Sequence, residues 1–375
     1  MISKSIKVYY SPDHYKHNPR THSVRGRQDP VPYSDYGHPE CASRFSYVLN
    51  VLEESLGNQM NLVYCRREAT HSELESCHDI NMIEFLSNCW NIAEKQGQDD
   101  SEILPSVYPC YVHHTIPIEP KKDILAEVGK YCFDTCTPIG EFTIEISKKA
   151  AAAAIDAAKE LSLELDENGQ SRCSYVLIRP PGHHTTRNMV GGFCYFNSSA
   201  LAAKVLLNRI KNEKNGKRVV IIDIDYHHGN GTQDIFYSSS EVVYCSIHAN
   251  PNFEYPHFTG GENEKGTEEG EGYNFNYPLP KNATFEIDYI PKFKQLLECA
   301  SSTKPDALLI SLGLDGMNGD TIGKYNLTVE NFEYLGKHIR EQFKSLPTLI
   351  VQEGGYNKNR KTMAEGISSF LSAWL

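Results

Sequence analysis

Short apolar runs alternate with amphipathic stretches along the second half of this chain. Tyr175–Ile178, Val219–Ile222, Val242–His248, Ala307–Leu312 and Thr348–Gln352 are rich in β-branched residues and leucine. Such runs read as strands buried on both faces. Asn197 to Asn212, Phe285 to Ala300 and Thr328 to Lys344 read as helices between them, the first capped by Asn197 or Ser198. Thr143 to Leu165, with Ala150–Ala154 at its centre, predicts a further helix whose small residues allow close packing. Upstream, Ile6–Tyr10 reads as a first strand, a helix starts at Pro39–Glu40 and runs to about Leu56, and residues 61–100 hold a short strand and helices. Residues 11–40 form a long loop, 101–140 an irregular stretch punctuated by prolines, and 257–276 a loop rich in glycine and glutamate. A last helix closes the chain. Alternating strands and helices predict an α/β fold with a parallel sheet covered on both faces, in one domain over residues 1–375.

Composition narrows the setting. Hydrophobic residues make up 40% of the 375, enough for a large core. There is no uninterrupted apolar run of a membrane span, and Met1–Lys7 lacks the apolar region of a signal peptide. Eleven scattered cysteines without a CxxC pair predict reduced thiols and a cytoplasmic protein. The net charge of −11 argues against direct nucleic-acid binding and suits a small cationic molecule or a basic peptide.

Chemistry gathers where strands end. Val219–Ile222 runs into Asp223-Ile-Asp225-Tyr-His227-His228-Gly-Asn230. Asp225 and His227, two residues apart on extended backbone, point the same way. Other strand exits carry His183-His184, Ser246 to His248, Asp315 and Tyr356. Strand C-termini of a parallel sheet lie along one edge, where ligands bind. Asp225, His227 and Asp315 would give a metal three protein ligands and leave a position open for water and a substrate carbonyl. His183 and His184 can move protons, Asp223 and Asn230 can orient them, and the Tyr356 hydroxyl can meet a developing oxyanion.

These residues resemble the zinc-dependent deacylases of the histone deacetylase family, in the style of its class II and bacterial acetylpolyamine amidohydrolase branches. The resemblance is carried by RPPGHH (179–184), GGFCYFN (191–197), DIDYHHGNGTQ (223–233), SLGLDGMNGD (311–320) and EGGY (353–356), with weaker support from CFDTCTPI (132–139) and PHFTG (256–260). It implies an arginase/deacetylase-like fold around an eight-stranded parallel sheet. It implies one zinc on Asp225, His227 and Asp315, His183 paired with Asp223, and His184, the proton shuttle, paired with Asn230. Tyr356 would bind the oxyanion. Phe193 and Phe258 would wall a tunnel, the Gly192 backbone would accept the substrate amide, and Asp134 would hold a peptide backbone at the rim. Potassium or sodium would bind among Asp223, Asp225, His227, Ser246 and Ile247, and again near Phe236, Ser239, Val242 and Tyr273.

The resemblance leaves the substrate open between an acetylated small amine and acyl-lysine in a peptide. Acidic Glu119, Asp123 and Glu127 favour the amine. Ile322, where animal polyamine-cleaving members carry a glutamate, and Asp134 favour the peptide. A homodimer contact is expected through the 11–40 loop. A strict lysine deacetylase, a two-metal ureohydrolase of the arginase type and a catalytically silent binding module are the competing readings.

Overall fold

The computed structural model describes residues 5–20, 23–24, 27–28, 38–97, 102–107, 123–169 and 172–375. Its centre is an eight-stranded sheet. Across it run Met60–Tyr64, Ile6–Tyr10, Cys173–Val176, Thr348–Gln352, Ala307–Leu312, Val219–Asp223, Val242–Ala249 and Asn274–Leu279. Every neighbouring pair in it is parallel. All C-terminal ends therefore face one edge, with the two strands of densest chemistry, Ala307–Leu312 and Val219–Asp223, side by side in the middle.

Side-chain alternation divides each central strand between two cores. Val219 and Ile221 pack with the helices Ile80–Lys95, Thr143–Glu160 and Ser198–Lys214. Val220 and Ile222 pack on the other face with Ser43–Leu56, Ile290–Ser302, Val329–Gln342 and Arg360–Leu371. Ala307 and Leu309 against Leu308 and Ile310, and Leu349 and Val351 against Ile350, divide in the same way. Period two with both faces apolar is what makes these runs read as uninterrupted hydrophobic stretches. The alanines of Thr143–Glu160 are buried on the first face, where their small side chains let the helix lie close to Ser198–Lys214.

Strands Ile6–Tyr10, Ala307–Leu312 and Thr348–Gln352 lie where the apolar pattern puts them. Asn197 caps its helix by accepting from the Ala200 N–H. The helix expected from Pro39–Glu40 begins at Ser43, and two further elements differ. The helix expected to reach Leu165 ends at Glu160, because Leu161 turns extended and buries its side chain. Arg209 then takes the freed Ala158 and Leu161 carbonyls at 3.0 and 2.6 Å. The expected 257–276 loop gives way at Asn274 to the eighth strand, Asn274–Leu279. That strand sits at the sheet edge, which is where its Pro278 is tolerated. Residues 21–22, 25–26 and 29–37 of the expected dimer loop fall outside the described residues, as does Glu119.

Candidate active site

The exit of Val219–Asp223 builds one side of the site and the exit of Ala307–Leu312 the other. Ligand atoms of Asp225, His227 and Asp315 lie within 4.8 Å of one another, all three residues buried. His227 Nδ1 is 2.7 Å from Asp315 Oδ2 and 3.4 Å from Asp225 Oδ1. The remaining lone pairs are oriented by backbone. Asp225 Oδ1 accepts from the His227 N–H at 2.9 Å, Asp225 Oδ2 from the Gly354 N–H at 3.0 Å, and Asp315 Oδ1 from the Tyr226 N–H at 3.0 Å. A Cβ on Gly313 would stand 1.9 Å from Asp225 Oδ2, so the turn after that strand must be glycine for the carboxylate to fit. Burial opposes charge on His227, but Asp315 and Asp225 outweigh it and hold the imidazole pKa well above its ordinary value. Two converging carboxylates and one ring nitrogen call for positive charge between them, and that donor set suits a divalent transition metal such as zinc.

Two histidines stand beside this triad with opposite tuning. His183 Nδ1–H donates to Asp223 Oδ2 at 3.0 Å. Burial works against its charged form, yet the carboxylates of Asp225 and Asp223 prevail and raise its pKa to about 10. His184 Nδ1 is 2.8 Å from Asn230 Oδ1, and the Asn230 amide nitrogen donates to the His184 carbonyl at 3.4 Å. That second contact fixes which end of the amide faces the ring, so Nδ1 carries the hydrogen and Nε2 is the basic nitrogen. Burial, then the neighbouring His183 and His227, push the His184 pKa well below its ordinary value. Two titratable groups driven apart in this way divide into a base and an electrostatic partner.

Tyr356 follows the Thr348–Gln352 strand after Gly354-Gly355. Burial drives its phenol pKa far up, so the hydroxyl stays a donor. Thr321 Oγ1 donates to the Tyr356 carbonyl at 3.1 Å, and three further contacts hold the residue. Its N–H donates to Asp320 Oδ2 at 2.5 Å, its ring meets Phe193 edge-on at 5.6 Å, and the Arg44 guanidinium lies 4.9 Å from its ring centroid. Arg44 also donates to the Gly355 carbonyl at 2.7 Å and to the Glu353 carbonyl, and pairs with Glu40 at 3.1 Å. Glu353 accepts from the Gly182 and His183 N–H groups at 2.7 and 3.1 Å and from Ser199 Oγ at 2.7 Å. Burial pushes its carboxyl up to about 7. Arg44, Glu40, Asp320 and Glu353 therefore position the site, and sequence reasoning assigned none of them. Their one sequence signal was charge inside otherwise apolar or glycine-rich surroundings.

Two expectations are corrected by the geometry. Phe258 is 96% exposed, turned outward after His257 at φ 69°, and does not wall the site. Tyr255 holds that place, its ring 5.0 Å from His184 and 6.1 Å from His227. Asp134 does not offer a free acceptor at the rim. Its Oδ1 accepts from the Cys136 N–H at 3.0 Å and Thr137 Oγ1 at 2.8 Å. Its Oδ2 accepts from the Gly192 N–H at 2.6 Å and Tyr255 Oη at 2.8 Å. Gly192 and Phe193 both have positive φ, and a Cβ on Gly192 would stand 2.2 Å from His184 Cδ2. The rest of the acidic stretch has local duties: Asp123 caps Ile124–Val128, and Glu127 pairs with Lys130 at 3.3 Å.

Several of the groups expected to hold monovalent cations are neighbours. Asp223 is the register partner of Ser246, and Asp223 Oδ1 accepts from the Asp225 N–H at 3.1 Å. Ser239 donates its N–H to the Phe236 carbonyl at 2.9 Å and accepts from the Val242 N–H at 3.2 Å, while the Tyr273 carbonyl accepts from Tyr244 N–H.

Comparison with known proteins agrees with this architecture. The family model described as histone deacetylase domain matches residues 38–373. Acetylpolyamine amidohydrolase 2 of Pseudomonas aeruginosa is 34% identical over 92% of this chain and 93% of its own length. Histone deacetylase 6 of Caenorhabditis elegans is 30% identical over 85% of this chain but only 30% of its own. The crystal structure of an acetylpolyamine aminohydrolase from Burkholderia pseudomallei superimposes with a TM-score of 0.83 at 29% identity, covering 99% of this chain and 98% of that one. With its sheet, its Asp-His-Asp cluster and its paired histidines, this chain belongs to the histone deacetylase family.

Proposed function

We propose that this chain is a zinc-dependent amidohydrolase that removes acetyl or longer acyl groups from small cationic amines, acetylpolyamines foremost, and also from acyl-lysine side chains. The observation that carries the reading is the buried Asp225–His227–Asp315 cluster beside a histidine held neutral and another held charged. Zinc bound there would polarise the substrate carbonyl and make the attacking water more acidic.

The chain's own residues do the rest. His184 accepts a proton at Nε2 while Asn230 holds its other nitrogen. His183, charged against Asp223, lowers the cost of negative charge gathering at the reacting carbon's oxygen. The Tyr356 hydroxyl donates to that oxygen. His184 then returns its proton to the leaving amine. Phe193 and Tyr255 wall the approach and keep water from the reacting atoms. Asp223, Asp225, His227, Ser246 and Ile247, and separately Phe236, Ser239, Val242 and Tyr273, are proposed to hold potassium or sodium that stiffens the strand exits.

The amine preference is supported by the net charge of −11 and by likeness to acetylpolyamine amidohydrolases along nearly their whole length. The test is kcat/KM for acetylputrescine and acetylspermidine beside an acetyl-lysine peptide. The amines are expected to win. A peptide ahead by more than about tenfold, ~1.4 kcal/mol in transition-state binding, would reverse the preference.

A further inference from the structure

Asp134 and Tyr255 belong to different parts of the chain, and both are half-buried. Their contact closes one side of the site. A carboxylate offers about four lone-pair positions. Besides the Cys132 thiol, a weak donor 3.9 Å from Oδ1, four N–H and O–H donors of this protein meet the Asp134 side chain: the Cys136 N–H, Thr137 Oγ1, the Gly192 N–H and Tyr255 Oη. Three of these come from its own loop or from the wall it supports. Thr137 also accepts from the Phe193 N–H at 3.1 Å, so Asp134 and Thr137 together hold two consecutive residues of positive φ against His184. The fourth donor arrives from across the site, and its ring is the one that meets His184 and His227 edge-on. Phe133, next to Asp134, lies nearly parallel to that ring at 6.2 Å.

Resting on the amidohydrolase reading above, we infer that the Tyr255 hydroxyl is a specificity element that occupies the Asp134 carboxylate and denies it to a substrate's peptide backbone. A phenylalanine there would give the same wall without the donor. The hydroxyl adds nothing to an apolar wall. Among the described residues its one hydrogen-bond partner is Asp134 Oδ2. A peptide that sought the carboxylate would have to displace an internal charge-assisted hydrogen bond, whereas a slim acylated amine asks nothing of it. The site thus selects for linear aliphatic amides that lack a backbone beside the scissile group.

The experiment measures kcat/KM of the zinc-loaded enzyme and its Tyr255→Phe variant for N-acetylputrescine and for an acetyl-lysine peptide blocked at both ends. The variant is expected to raise the ratio of peptide to amine by about tenfold, mainly through a lower KM for the peptide, the size of one hydrogen bond to a charged group. Adding Asp134→Asn to it must abolish the gain. Tyr255→Met, which drops the hydroxyl together with the ring, must move the ratio in the same direction. A ratio unmoved, or both substrates falling in parallel as a loosened wall would make them, overturns the inference. A wild-type enzyme that turns over neither substrate overturns the amidohydrolase reading and this inference with it. One that turns over both with an unmoved ratio overturns this inference alone.

Discussion

Tyr356 is the residue at which a single oxygen atom can be tested. Its ring is fixed by Phe193 and Arg44 and its backbone by Asp320, so Tyr356→Phe leaves the loop in place. Turnover should fall by roughly 10²–10³, the value of one oxyanion donor, with zinc content and substrate KM nearly unchanged. Asp225→Ala and Asp315→Ala should instead lose the metal, read by elemental analysis, while circular dichroism stays that of the wild type. Full zinc in either variant would sink the ligand assignment. The residues of this centre were readable because spacing alone aims Asp225 and His227 together and because strand exits share an edge. The aromatic wall was not. The inward Tyr255 and outward Phe258 go together with the positive φ at His257 and with Glu264, which accepts from the Gly260 and Gly261 N–H groups. Neither setting is written in the local pattern around Pro256.

Elements that keep to one periodicity were legible, and those ended by distant contacts were not. The Thr143–Glu160 helix stops where a guanidinium from the next helix takes its carbonyls. No feature of residues 161–165 marks that end. The short helix His71–Glu75 is the reverse case, closed by its own sequence. Thr70 accepts from the Glu73 N–H and Glu73 accepts from the Thr70 N–H, a reciprocal cap. Burial would raise the Glu73 carboxyl, but hydrogen bonds from Arg67, Lys159 and the Thr70 N–H hold it down to about 2. A carboxyl lowered from its ordinary ~4.3 lends stability that is present above that value and lost as pH falls towards 2. Glu73→Gln should therefore lower the melting temperature at neutral pH and flatten its decline between about pH 4.5 and 2. An unchanged pH dependence would show that the Arg67–Glu73–Lys159 group carries no net stability.

At the scale of the molecule, one parallel sheet gathers residues from positions 183 to 356 onto a single edge. The alternation of strand and helix made that legible, because only C-terminal ends share an edge in such a sheet. His227 and Asp315 nevertheless lie 88 positions apart in the chain. A cation between them is a cross-link, and it can form only after the two middle strands have paired. A metal held there would thus be the last piece to arrive in folding, not its nucleus, since the two buried cores are built from side chains other than its ligands. Chelation should leave the circular dichroism intact yet lower the melting temperature, and zinc added back should raise it with the logarithm of its concentration. A chelated protein that loses its helices would contradict that order. Zinc bound as proposed would then be a late clasp on a finished frame, and newly made protein would pass through a folded and idle stage whose length is set by metal supply.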